Sequence, residues 1–336
     1  MKICLLLSLI PLLFWAASAA AEFTENNLIV VNDPSAMSAG VDSLDEFSPD
    51  GGLVCTLVPQ SLNIKGMRRV IYDPYSDHVF YSISSWSDQV FEIREIDSRG
   101  NLMATYSHAD FNSGNISMAV GAGGDLFIAN GSCIFVKEAG TSTVTPLFDL
   151  PYTGIGDLEM DSRGNLYLSD PFISDVVYLI SPEGNVTVAA DSSDGVTNPY
   201  GIAVDQQDDL YVACNSGSGT YILKKSQGTA SVFSQVSMPY GILDMTVDGQ
   251  NRLFVANREN DTILVFDSQG NAELFADAKD GLRVPSSLCF ILPQFGCIQN
   301  YDGDADADGK DLAEYALKYN PACLDKFAGR YGNPAT

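Results

Sequence analysis

Short apolar runs rich in Val, Ile, Leu, Phe and Tyr recur along most of the chain, and clusters of Asp, Gly, Asn and Ser break them at close intervals. Runs of this length, β-branched and aromatic, read as strands, and no 3.6-residue spacing is sustained that would support a helical solenoid. One stretch shows the unit in full. Tyr200-Gly201-Ile202-Ala203-Val204-Asp205 is a first strand, and Leu210-Tyr211-Val212-Ala213 is a second. Tyr221-Ile222-Leu223-Lys224 is a third, and after Gly228 comes a fourth, Ala230-Ser231-Val232-Phe233.

Five copies of that unit are visible. The second-strand anchors Val79, Leu126, Leu166, Leu210 and Leu253 are spaced by 47, 40, 44 and 43 residues. Four strands per period of roughly 40–45 residues is the pattern of a β-propeller blade. The array is ragged at both ends in a complementary way. Pro285-Ser286-Ser287-Leu288-Cys289-Phe290-Ile291 supplies a first strand and stops. Leu28–Asn32, Ser43–Phe47 and Leu53–Leu57, near the other end, match the second, third and fourth. Pairing them would close a sixth blade and remove two open edges. The fold expected is all-β: a six-bladed propeller over 22–292.

The units resemble NHL repeats, which are shared with TolB-like and gluconolactonase-type propellers. The likeness covers about residues 23–292 and speaks to fold, since propellers host binding modules and enzymes alike. Gluconolactonase-type enzymes hold a divalent metal near the central channel with Glu, Asn and Asp. That resemblance makes Asp157, Glu159 and Asp244, in or beside first strands, candidates for the channel mouth. So is the set at the ends of second strands, Asn32, Asn130, Asp170, Asn215 and Asn257. Occurrence in nearly every repeat favours turn chemistry over ligation for that second set, because Asn and Asp accept local backbone hydrogen bonds. With His78 and His108 as the two histidines, and no G-x-S-x-G elbow, a nucleophilic triad has no basis.

The start of the chain changes the picture of where such a ring would work. Lys2, the apolar run Ile3 to Trp15 and the small residues Ala16 to Ala21 have the form of a cleaved secretory signal peptide over 1–21. The run is too short to span a bilayer. The expected location is extracellular or periplasmic, with no membrane span. Against 18 basic residues stand 43 acidic ones, for a net charge of −25, which disfavours nucleic acid and favours divalent cations. Of seven cysteines, Cys4 would leave with the leader, and the remaining six permit disulfides in an oxidising compartment.

The sharpest chemistry lies at the other end, in a module over 293–336. Asn300-Tyr-Asp-Gly-Asp-Ala-Asp-Ala-Asp-Gly-Lys-Asp311 places Asn300, Asp302, Asp304, Asp308 and Asp311 at positions 1, 3, 5, 9 and 12 of an EF-hand-like loop. The carbonyl of Asp306 would fill position 7. A register from Asp304 puts Gly309 at the sharp turn, but it leaves Tyr315 at position 12, with Glu314 one place early. Leu312 to Tyr319 continues as an exit helix. The segment resembles the calcium-binding part of dockerin-type repeats, with one loop where a dockerin has two, which weakens any expectation of a cohesin-like partner. Cys297 and Cys323 bracket it and are a candidate disulfide.

The function expected is a non-enzymatic, monomeric binding or scaffold protein holding Ca²⁺, with an unidentified protein or glycan ligand at a propeller face. The alternatives are a metal-dependent hydrolase or lactonase using the channel, and a cell-surface adhesion or assembly component.

Overall fold

The computed structural model describes residues 23–36, 40–111, 114–150, 154–216, 219–236 and 242–292. These form six four-stranded antiparallel sheets. Blades 1 to 5 follow in chain order, with inner strands Met67–Asp73, Ile116–Val120, Leu158–Met160, Pro199–Val204 and Met245–Val247. Blade 6 takes its inner strand, Pro285–Phe290, from the far end of the described chain and its other three from the near end. Leu28–Asn32 inserts between Pro285–Phe290 and Ser43–Phe47, antiparallel to both, and Leu53–Val58 forms the outer edge. The closure expected from the two ragged ends is the one observed.

Alternation along each inner strand fastens neighbouring blades together. Met118 faces blade 1, and Ala119 faces blade 3; Ile202 faces blade 3, and Ala203 faces blade 5. Six apolar clusters result, one in each seam. A sheet apolar on both faces cannot stand alone in water, so stacking all six in a ring is what buries it.

Much of the negative charge is turn chemistry. Asp161 accepts the backbone N–H of Arg163 at 2.9 Å and of Asn165 at 2.8 Å, while the Asn165 amide donates to its second oxygen at 2.7 Å. Asp97 does the same for Arg99 and Asn101, in an identical Asp-Ser-Arg-Gly-Asn pentapeptide that turns between third and fourth strands instead of first and second. Asp205, Asp248 and Asp267 repeat the arrangement. These hairpin turns sit on one side of the ring, the turn face. The opposite side, where each inner strand begins, is the loop face.

Candidate channel site

Reading one equivalent position in the six inner strands, or just before them in blades 3 and 5, gives Arg69, Ser117, Asp157, Gly201, Asp244 and Ser287. All six stand at the loop-face end of the axis. Four of them reach to the next blade and accept a backbone N–H there. Ser287 Oγ takes Val70 N at 3.1 Å, and Ser117 Oγ takes Leu158 N at 3.0 Å. Asp157 Oδ2 takes Ile202 N at 3.2 Å, and Asp244 Oδ2 takes Leu288 N at 3.0 Å. The two exceptions, Arg69 and Gly201, lie opposite one another in a six-membered ring. A Cβ on Gly201 would come within 3.0 Å of the Asp244 backbone.

Arg69 crosses the axis from its side. Its guanidinium lies 3.4 Å from Asp157 and 3.2 Å from Asp244, and it donates to the Gly156 carbonyl at 2.9 Å. Its side chain is 12% exposed, and those of the two aspartates are 4% and 7% exposed, so each of these charges depends on the others. The remaining acceptor capacity is also taken. Asp157 Oδ1 receives Ser117 Oγ and Leu158 N, both at 2.9 Å. Asp244 receives Ser287 Oγ on one oxygen and Met245 N, at 2.9 Å, on the other. An ionised carboxylate offers about four lone-pair sites, and here they are spent on blade junctions and Arg69.

Glu159, two residues beyond Asp157 on the same strand face, is half-buried and lies near enough to Asp157, Asp244 and Arg69 to feel their charges. Burial drives its pKa well above the usual carboxylate range, and the charges of Asp157 and Asp244 add to this against Arg69. Burial likewise raises Asp244 to about 7, opposed by Arg69. A second carboxyl pair lies on the loop face of blade 6. Asp33 and Asp42 share Ser35, and Arg68 pairs with Asp33 at 2.7 Å. Burial and the neighbouring Asp42 push Asp33 up to about 7 despite Arg68.

A pH prediction follows from these raised values. Between about pH 4 and pH 7 the folded protein keeps protons on Asp244 and Asp33 that the unfolded chain, with ordinary values near 3.8, has released. The native state then binds more protons, so stability falls as pH rises through that window. Below it, turn aspartates such as Asp97 and Asp267, whose pKa values are lowered, reverse the trend. Urea midpoints measured from pH 4.5 to 7.5 should decline, and Asp244→Asn should flatten the slope. A rising series would show that these carboxyls ionise freely.

The ring at the ends of second strands proves structural. Asn32 accepts Arg283 N at 2.8 Å, Asn215 accepts Ile242 N at 3.2 Å, and Asn257 accepts Glu259 N at 3.3 Å. Asp170 accepts Phe172 N and Ile173 N, and Asn130 donates to the Asn115 carbonyl. Each ties down a loop, that of its own blade except for Asn215, which holds the segment leading into blade 5. Among the described residues, no three His, Cys, Asp or Glu side chains are grouped to hold a metal ion. A divalent ion on the axis would have to displace Arg69 and several blade-junction bonds. The axial residues therefore do not fit the metal that a gluconolactonase-type resemblance implies.

His78 pairs with Glu95 in the seam of blades 1 and 2, and His108 pairs with Asp110 on the loop face. Cys55, Cys133, Cys214 and Cys289 are free thiols. The candidate calcium ligands Asn300, Asp302, Asp304, Asp306, Asp308 and Asp311, the pair Cys297 and Cys323, and the leader 1–21 all lie outside the described residues.

No family model matches the chain, and no curated protein matches it. Solved structures do. The nidogen/laminin complex contains a chain that aligns at a TM-score of 0.64 with 15% identity, covering 80% of this chain and 99% of that one. A putative gluconolactonase aligns at 0.55 with 16% identity, covering 79% and 91%. Regucalcin from Agrobacterium tumefaciens, described as a calcium-binding protein, aligns at 0.51 with 15% identity, covering 64% and 75%. At such identities the likeness establishes the fold: an all-β six-bladed propeller.

Proposed function

We propose that this chain is an exported binding propeller that presents its loop face to a ligand and holds Ca²⁺ in its C-terminal module. The observation that carries the binding reading is the axial clamp. Arg69 and the blade junctions consume the carboxylates a channel enzyme would use. The similarity in fold to a chain of the nidogen/laminin complex supports this reading, since that chain is part of an assembly. Export rests on the leader-like segment, and Ca²⁺ rests on the oxygen spacing from Asn300 to Asp311.

The second reading, a metal-dependent hydrolase, draws on the gluconolactonase and regucalcin neighbours and on unclaimed Glu159. One pair of experiments separates the two. Calorimetry on the full chain should show one Ca²⁺ site, with affinity of about 10⁻⁴–10⁻³ M as in extracellular modules. The heat should vanish in Asp304→Ala/Asp308→Ala and persist in Glu159→Gln. Lactone hydrolysis with added Ca²⁺, Zn²⁺ or Mn²⁺ should not exceed buffer. Turnover abolished by Glu159→Gln would overturn the binding reading.

A further inference from the structure

The connections between second and third strands differ in height around the loop face. Blade 1 uses residues 86–89, and blade 3 uses 171–175, while blade 2 turns with residues 131–132 alone. A trough therefore runs over blade 2 between two taller loops. Those loops carry conspicuous apolar groups: Trp86 is 60% exposed, Phe172 54% and Ile173 62%. The rings are braced. Trp86 stands edge-on to Phe91 at 5.0 Å, and its indole leans over Gly114, where a Cβ would come within 2.5 Å of Nε1. Phe172 stands edge-on to Tyr200 at 5.4 Å. Rigid exposed aromatics of this kind are the usual anchors of a protein interface.

The charge in the trough has one sign. Asp88 stands exposed on the blade 1 side, and Asp110 and Asp149 stand exposed beside the short turn, while Asp175 turns toward blade 4 and accepts Asn198 N at 3.1 Å. Burial pushes the Cys133 thiol up, and the charges of Asp149 and Asp110 add to this, so both carboxylates flank the short turn. Among the described residues of these connections there is no Lys or Arg. The one imidazole, His108, lies 3.5 Å from Asp110 and packs on Phe135.

We infer that this trough binds an extended basic segment of a partner protein, whose cationic side chains lie over Trp86 and pair with the flanking aspartates. A cation over an indole face is favourable, and it gains further where carboxylates are near. An uncharged glycan would stack on the rings but leave the carboxylates without counter-charges. This inference rests on the loop face being a binding surface and adds the class of ligand.

The test exploits composition. The sequence has two tryptophans, Trp15 and Trp86, so the full chain carrying Trp15→Phe reports on the trough alone. Titration with a hexa-arginine peptide should change Trp86 fluorescence saturably, with affinity that falls as salt rises. By peptide anisotropy, Trp86→Ala/Asp149→Asn should bind about tenfold more weakly. Glu183→Gln/Glu273→Gln, which removes charge away from the trough, should change binding less than about twofold. Equal losses in both double variants would mean general attraction to an acidic protein and would overturn the proposal. So would saturation of the Trp86 signal by a neutral oligosaccharide but not by hexa-arginine. Glu159-dependent hydrolysis, by contrast, would sink the binding reading of the channel and leave this titration interpretable.

Discussion

Arg69→Met should destabilise the protein by about 3–5 kcal/mol, the usual effect of removing one partner from a buried charge cluster. The side chain is similar in length, so the loss reports charge and not a cavity. Asp157 and Asp244 would be left beside each other and near Glu159 with no cation between them, in a site where the aspartates are nearly inaccessible to water. The deficit should shrink in acid, where protonation relieves the repulsion. Urea unfolding at pH 5 and pH 7.5 measures this, and the gap between wild type and variant should be wider at pH 7.5. A second variant, Arg69→Met with Asp244→Asn and Asp157→Asn, should recover part of the loss. If the single variant matches wild type at both pH values, the clamp does not contribute to stability.

Gly100→Ala should cost about 2–4 kcal/mol, combining positive-φ strain with overpacking. Gly100 sits at φ +75 in the turn between the third and fourth strands of blade 1, and its missing Cβ would fall 2.0 Å from the Leu57 carbonyl oxygen of blade 6. Neither atom can yield, because the carbonyl is main chain and a Cβ is held rigidly by its own backbone. Gly51 meets Phe275 O and Gly270 meets Phe233 O in the same way, at 2.0 and 2.1 Å. Gly228 occupies a comparable turn in blade 4, at φ +82, with nothing near its Cβ position. Gly228→Ala should therefore show the backbone strain alone, about 1 kcal/mol. Equal thermal shifts in Gly100→Ala and Gly228→Ala would rule out the interblade contact as the cause.

The ring itself was legible because its causes are local. Alternating apolar residues mark strands, Asp and Gly mark turns, and a steady period marks equivalent blades. The sixth blade was legible because a lone first strand and three orphaned strands have one sensible pairing. The axial clamp was harder to see. Arg69 belongs to the most divergent copy, and a basic residue in a strand looks like ordinary surface. Its role depends on which residues meet across the axis, and a period along the chain does not say how far side chains reach. The available signal was the column Arg69, Ser117, Asp157, Gly201, Asp244, Ser287, which has a single arginine opposite a single glycine. Asp157 and Asp244 stand out in the sequence as carboxylates, but their bonding to the next blade's N–H groups cannot be read from composition. The trough over blade 2 turns on loop height, which strand periodicity ignores.

Blade 6 has a bearing on how the protein is made. Its inner strand ends at Phe290, and the strand beside it begins at Leu28, with the two paired directly. Contacts such as Arg283 N to Asn32 Oδ1 and Val70 N to Ser287 Oγ span 251 and 217 residues. No early portion of a growing chain can form them. Blades 1 to 5 must wait as an open arc with uncovered apolar seams until the last strand arrives, so closure should be slow and late. Such a chain remains threadable for as long as it is incomplete. That property suits transport across a membrane before folding, and it makes the arrival of residues 285–290 the event that commits the ring.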